Sequence, residues 1–257
     1  MIIDSHVHVN SKVLDDVEKT IEKINNNENI ESVINVGLNV ETSRECIDIC
    51  NSENKFYSAI GIHPLYIESE NFDSLYNLIN EKVVAIGEIG LDSNNSNYYK
   101  QRQYFIRQIF IANELKLPVI IHTDNNEEVI NIFKKGVRPM YGCVFHCFKP
   151  DLKSLKYIVD NGYYISFAGK ITYMNALKSI EVIKEVPNTN FLIETDSPYI
   201  SPEPVRESVN ESSNIKYIIE KLSEVKEMCY NDIVDITNKN TKTLFKKMRW
   251  YNDIFRL

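Results

Sequence analysis

No apolar stretch in this 257-residue chain approaches the ~18 residues needed to span a bilayer, so a membrane-spanning helix is not expected. The chain also lacks a basic leader and a small-residue cleavage site. Its first residues lead directly into Asp4-Ser5-His6-Val7-His8, which argues against a signal peptide and for a cytoplasmic location. Cysteine is scarce. Cys46, Cys50, Cys143, Cys147 and Cys229 are odd in number and form no C-x2-C pair, the usage of reduced, structural thiols. Positive charge is in deficit, with a formal net charge of −7. Proteins that hold nucleic acid by bulk electrostatics are usually basic. Any nucleic-acid contact here is therefore expected to be local, made by a few lysines or bound cations at a strand end. Linkers, low-complexity segments and internal repeats are missing too. Asn25-Asn26-Asn27 and Asn94-Asn95 read as turns.

What is present is a regular alternation. Near-continuous Val/Ile/Leu runs predict strands at Ile2 to Ser5, Ser32 to Val36, Tyr57 to Ile62, Val83 to Glu88, Pro118 to His122, Cys143 to His146, Tyr163 to Phe167 and Phe191 to Thr195. Such runs suit strands buried on both faces. Helical spacing predicts helices at Tyr98 to Lys116, Asp151 to Asp160, Met174 to Val186, Ser213 to Lys226 and Asp232 to Met248. Asn161-Gly162 offers a left-handed cap to the second of these. Eight strands alternating with helices, in a chain close to the roughly 250 residues typical of the fold, predict an α/β protein. The expected architecture is a single (β/α)8 TIM barrel domain over residues 1–257, with its active-site loops after the strands. The loops after Glu88 and Asp196 are expected to be the longest.

All five histidines stand at or just beyond the ends of these runs: His6, His8, His63, His122 and His146. Glu88 and Asp196 repeat the pattern. Imidazoles and carboxylates gathered at one end of successive strands point to bound metal. In a strand His6 and His8 point to one side, about 6.5 Å apart at two steps of ~3.3 Å. A glutamate ending a buried strand is costly unless paired, and its two oxygens can serve two cations. His122 and His146 end successive strands and can share a second cation. Asp196 is the candidate ligand and proton acceptor for an attacking water. Glu194, one layer deeper, is expected to accept a ring N–H from a ligating histidine. His63 is read as facing substrate, and Lys149, Lys170 and Arg206 as meeting an anionic substrate group.

The motifs Asp4-Ser5-His6-Val7-His8, Gly61-Ile62-His63-Pro64, Gly87-Glu88-Ile89-Gly90-Leu91-Asp92, Leu117 to His122, His146-Cys147-Phe148, Ser166-Phe167-Ala168-Gly169 and Glu194-Thr195-Asp196-Ser197-Pro198-Tyr199 resemble the TatD family of metal-dependent hydrolases. The similarity covers nearly the whole chain. It implies a two-metal site in which His6 and His8 hold one cation, Glu88 bridges both, His122 and His146 hold the other, and Asp196 completes the set. It also implies a magnesium- or metal-dependent deoxyribonuclease acting from a 3′ end. The chain departs from the family where Thr123-Asp124-Asn125-Asn126 stands in place of Ser-Arg-Asp-Ala, and where Lys149-Pro150 follows His-Cys-Phe.

Together these readings predict phosphodiester hydrolysis of DNA, at a single strand or 3′ end, by water activated by two divalent cations, with Asp196 and Glu88 as catalytic residues. The imidazole-rich set favours zinc or manganese over magnesium on ligand softness. The alternative is hydrolysis of a small ester, amide or aminoacyl bond by the same residues. A non-catalytic barrel is disfavoured by the complete ligand set. A monomer with no obligate protein partner is expected.

Overall fold

The computed structural model describes residues 1–68, 72–94 and 97–248. Asn95 of the expected Asn94-Asn95 turn and residues 249–257 of the expected domain lie outside them. In chain order the elements are β1 (Ile2–Val7), α1 (Val17–Asn26), β2 (Ile30–Val36), α2 (Val40–Ser52), β3 (Phe56–Ile60), α3 (Phe72–Tyr76), β4 (Val83–Leu91), α4 (Tyr98–Glu114), β5 (Val119–Thr123), α5 (Asn126–Lys134), β6 (Cys143–Phe145), α6 (Leu152–Asp160), β7 (Tyr164–Phe167), α7 (Leu177–Glu185), β8 (Phe191–Ile193), α8 (Ile215–Lys226) and α9 (Tyr230–Leu244). The strands form one sheet in the order β1 to β8. Eight β/α units in sequential order are the (β/α)8 arrangement that the apolar runs predict. No helix among the described residues is long and apolar enough to cross a membrane.

The chain divides into two compact units, one of Met1–Ile34 with Cys147–Thr241, the other of Asn35–His146 with the segment from Lys242 onward. In the first, β7 pairs parallel with β8, Ile165 opposite Phe191 and Phe167 opposite Ile193. Beyond β8 the backbone runs along β1: Asp196 N–H donates to His6 O at 2.9 Å and His8 N–H to Ser197 O at 2.7 Å. This pairing carries residues past the end of β8 up to the histidines of β1. Helix α6 starts where Asp151 accepts the Lys153 and Ser154 amides and stops at Asn161, with Gly162 left-handed at φ 70°.

In the second unit β3, β4, β5 and β6 pair in parallel. β4 runs to Leu91, so Glu88 lies inside the strand rather than at its end. Its register against β5 advances three residues, Ile86 to Ile89, while β5 advances two, Val119 to Ile121. A bulge of this kind re-aims side chains, and Glu88 sits within it. The continued strand also shortens the loop that follows. Only residues 92–97 separate β4 from α4, fewer than residues 8–16 after β1, so the expectation of a long loop there is corrected. The long loop after β8 is present, with β8 ending at Ile193 and a 3₁₀ turn starting at Ser212. Phe56, Phe105 and Phe145 are fully buried in this unit, as Phe191 is in the other. Cys46, Cys50 and Cys143 are buried free thiols, and burial pushes all three above the ordinary thiol range.

Candidate metal centre

In the first unit His6, His8 and Asp196 come together at the ends of β1 and β8. Their Nε2 atoms lie 3.1 Å apart, and Asp196 Oδ1 is 3.4 Å from His8 Nε2 and 3.8 Å from His6 Nε2. All three residues are buried. Asp196 does not reach this position by strand alternation. Its backbone is left-handed at φ 57°, a conformation that aspartate tolerates better than most residues. Beneath it Asp4 is completely buried. Its Oδ1 accepts the Thr195 N–H at 2.9 Å and its Oδ2 meets the Thr195 hydroxyl at 2.6 Å. Burial pushes the Asp4 carboxyl up to about 7, against the hydrogen bonds from Thr195. Asn210 donates to the carbonyls of Thr195 and Tyr199, at 2.9 and 2.7 Å, and so fixes the loop that carries Asp196.

The expected substrate contacts of this unit are spread around it. Lys170, in a 3₁₀ turn after β7, is raised above its ordinary range by the Cys147 thiol and Asp196, against the effect of burial. The Arg206 guanidinium stacks on Tyr173, 4.1 Å from the ring centre, and its Nη1 is 3.4 Å from Glu203 Oε1. Lys149 is exposed on the loop after β6. Glu194 is buried and its Oε1 accepts the Cys147 N–H at 2.6 Å. Tyr199 exposes 46% of its surface and sets its ring edge-on to His8 at 5.8 Å.

In the second unit three imidazoles converge on one oxygen. His122 Nδ1 is 2.6 Å, His146 Nε2 3.1 Å and His63 Nε2 3.6 Å from Glu88 Oε1. Glu88, His63 and His122 offer donor atoms all within 4.8 Å of one another. Burial works against the Glu88 carboxylate, yet His146, His63 and His122 outweigh it and hold the group well below the ordinary range. His63 differs from the other two. Its Nδ1 accepts the Leu65 N–H at 3.2 Å, so its proton sits on Nε2 and faces Glu88 as a donor. This tautomer suits a hydrogen-bonding histidine rather than a ligand.

The sequence reading assigns no role to Asp92 or Asp4. Asp92 Oδ2 lies 2.9 Å from His122 Nε2. The hydrogen bond from His122 holds the Asp92 carboxyl below its ordinary range. Burial opposes the charged form of His122, but Asp92 and Glu88 override it and raise the ring to about 9. Strand periodicity offers only a face: Glu88 and Asp92 lie four residues apart, with the parity that shares one, which does not tell an orienting acid from one facing water. In the same way Asp4 shares its face with His6 and His8.

The donors fit a divalent cation in each unit. They are imidazole nitrogens and carboxylate oxygens, the chemistry of zinc, manganese and related sites. Without a cation, His122 must be an imidazolium to satisfy two carboxylates; a cation beside Glu88 would supply that positive charge instead.

Residues 3–246 match the family model described as TatD related DNase. The chain is 37% identical over 254 residues to the uncharacterized metal-dependent hydrolase YabD of Bacillus subtilis, covering 96% of this chain and 99% of that one. It is 29% identical to the uncharacterized metal-dependent hydrolase YcfH of Escherichia coli K12, covering 95% of each. Among solved structures it resembles YjjV, a TatD homologue from Escherichia coli K12. There the TM-score is 0.85 at 26% identity, over 95% of this chain and 98% of that one.

Proposed function

The chain belongs to the TatD family of metal-dependent hydrolases, and from that premise we propose that it hydrolyses phosphodiester bonds at the end of a single DNA strand. The observation that carries the reading is the convergence of His122 and His146 on Glu88 Oε1, at 2.6 and 3.1 Å. In this reading His6, His8 and Asp196 would hold one divalent cation, and Glu88, His122 and His146 would hold a second. When bound, such cations stabilise charge on the phosphoryl oxygens and lower the pKa of water.

The remaining work falls to this chain's own side chains. Asp196 orients the attacking water and accepts its proton. His63, with its Nε2–H fixed by the Leu65 contact, donates toward Glu88 or a substrate oxygen. Lys170, Arg206 and Lys149 draw the anionic group toward the loops after β6, β7 and β8. The exposed Tyr199 ring beside His8 offers a stacking face to a base, a sequence-tolerant contact. Few basic residues take part, which fits a strand end better than a long duplex footprint.

A second reading, hydrolysis of a small ester, amide or aminoacyl bond, draws on one observation. Asp124, where related motifs carry arginine, accepts the Ser93 N–H at 3.4 Å and hydrogen-bonds the Ser93 hydroxyl. An acid there does not attract a polyanion. The two readings separate when protein loaded with manganese or zinc is given a 3′-labelled single-stranded oligonucleotide, and in parallel a panel of small esters and amides. Stepwise loss of the 3′ label supports the nuclease. Turnover confined to the small substrates overturns it.

A further inference from the structure

Glu88 and Asp92 grip the two ring nitrogens of one histidine. Glu88 Oε1 meets His122 Nδ1 at 2.6 Å and Asp92 Oδ2 meets His122 Nε2 at 2.9 Å. Between the two acids lies Gly90, the register partner of His122 in the β4–β5 pairing. A Cβ built on Gly90 would stand 1.7 Å from the His122 carbonyl oxygen. The missing side chain lets β4 pass against the backbone of His122, close enough for an acid on either side to reach the ring.

Asp92 is itself held on all sides. Gln101, on α4 and fully buried, accepts the Asp92 N–H and donates to the Asp92 carbonyl, both at 2.8 Å. Asp92 Oδ1 accepts the N–H and the side-chain amide of Asn94, again both at 2.8 Å. One oxygen, Oδ2, remains for the imidazole. A carboxylate so constrained can act only on Nε2, and the nitrogen it leaves for Glu88 and a cation is Nδ1.

We propose that Asp92, clamped by Gln101, is a positioning residue: it fixes His122 with the proton on Nε2, so that the ring presents Nδ1 as its donor atom. Histidine ligands commonly donate their other N–H to a carboxylate, and losing that partner costs about 10–100-fold in metal affinity. The proposal rests on the metal-site reading above and adds to it a residue and a specific nitrogen.

The test titrates the full-length metal-free protein with zinc by calorimetry, comparing wild type with Asp92→Asn, Asp92→Ala and Gln101→Ala. Asp92→Asn keeps the shape of the side chain, and circular dichroism checks each fold. The expected result is a loss of about 10–100-fold in affinity for one zinc in both Asp92 variants. The loss is smaller in Gln101→Ala, and affinity for the other zinc changes by less than about twofold. In zinc-loaded wild type, ¹⁵N spectra of the histidine rings are expected to show the proton of His122 on Nε2. Equal weakening of both zinc sites, unchanged affinity in Asp92→Ala, or a proton on Nδ1 would each overturn the role of Asp92. A wild-type protein that takes up no zinc overturns the metal reading together with it. A wild type that binds zinc and variants that bind it equally well overturn the role of Asp92 alone.

Discussion

Asp4 holds Thr195, 191 positions away in the chain, by both its amide and its hydroxyl, at 2.9 and 2.6 Å. The residue after Thr195 is Asp196 and the residue two after Asp4 is His6, so this contact sets the spacing between a histidine and an acid of the candidate centre. It does so with a carboxyl that burial has pushed up to about 7.

A pH dependence of stability follows. A carboxyl whose folded pKa lies above its unfolded value binds its proton more tightly in the native state. Its contribution is fully present below about 4 and is lost as pH rises through 7. Between pH 5.5 and 8.5 this loss amounts to about 2 kcal/mol, at 1.36 kcal/mol per pKa unit. Asp4→Asn, which imitates the protonated acid, is expected to flatten that window. Urea unfolding midpoints of metal-free wild type and variant at the two pH values make the comparison. A slope equal in both proteins would show that Asp4 does not titrate in that window and would remove it from the pH dependence.

Gly90→Ala is expected to be severely destabilising. A methyl group 1.7 Å from the His122 carbonyl oxygen forces two paired strands apart, and overpacking of this kind costs about 1–3 kcal/mol or more. The displacement also draws Glu88 and Asp92 away from the ring. Thermal unfolding should show a lower midpoint, and zinc titration a weakened site in whatever fraction folds. A variant with wild-type midpoint and affinity would mean that the strands separate there at no cost.

The eight strands were legible because each is buried on both faces and so reads as an unbroken aliphatic run; every predicted strand overlaps an observed one. The ends were less legible. β8 stops at Ile193 because the chain leaves β7 and follows β1, a pairing with residues nearly 190 positions away that no local pattern encodes. The left-handed turn that aims Asp196 was equally hidden, since aspartate at a strand end reads the same with either sign of φ. The histidines stood out by type, whereas Asp4, Asp92 and Gln101 did not. An acid or amide that orients another side chain is, in sequence, indistinguishable from one facing water. Its role lies in hydrogen bonds made across strands and helices.

Asp196 and Lys170 divide the work on the substrate side differently, and their variants should separate by kinetic constant. Asp196→Asn removes the proton acceptor while keeping shape, so kcat is expected to fall about 10²–10⁴-fold with the fold intact. Lys170→Ala removes a cation that sits near Asp196. It should mainly raise KM for an anionic substrate, more so at low ionic strength where screening is weak. Steady-state rates on a labelled oligonucleotide at two salt concentrations distinguish the two. An Asp196→Asn protein with undiminished kcat would remove that residue from proton transfer.

Chelation should expose the charge imbalance that a cation offsets. In the metal-free protein His122 balances Glu88 and Asp92 as an imidazolium raised to about 9. For a ring raised above its unfolded value of roughly 6.5, the contribution to stability is fully present below that value and is lost as pH rises through 9. A bound cation replaces that proton, so the loaded protein should not share the loss. Loading should also add about 2.7 kcal/mol at a free metal concentration a hundred times Kd. Calorimetric unfolding at pH 7.5 and pH 10, with EDTA or with zinc, gives four midpoints. The expected pattern is a fall with pH in EDTA, a smaller fall in zinc, and a higher midpoint in zinc at both pH values. The Asp4 contribution is already spent at pH 7.5, and the buried thiols, also raised, lose stability alike in EDTA and in zinc, so the difference between the two falls reports on His122. Midpoints indifferent to chelator would mean that His122, Glu88 and Asp92 form a structural charge cluster needing no cation.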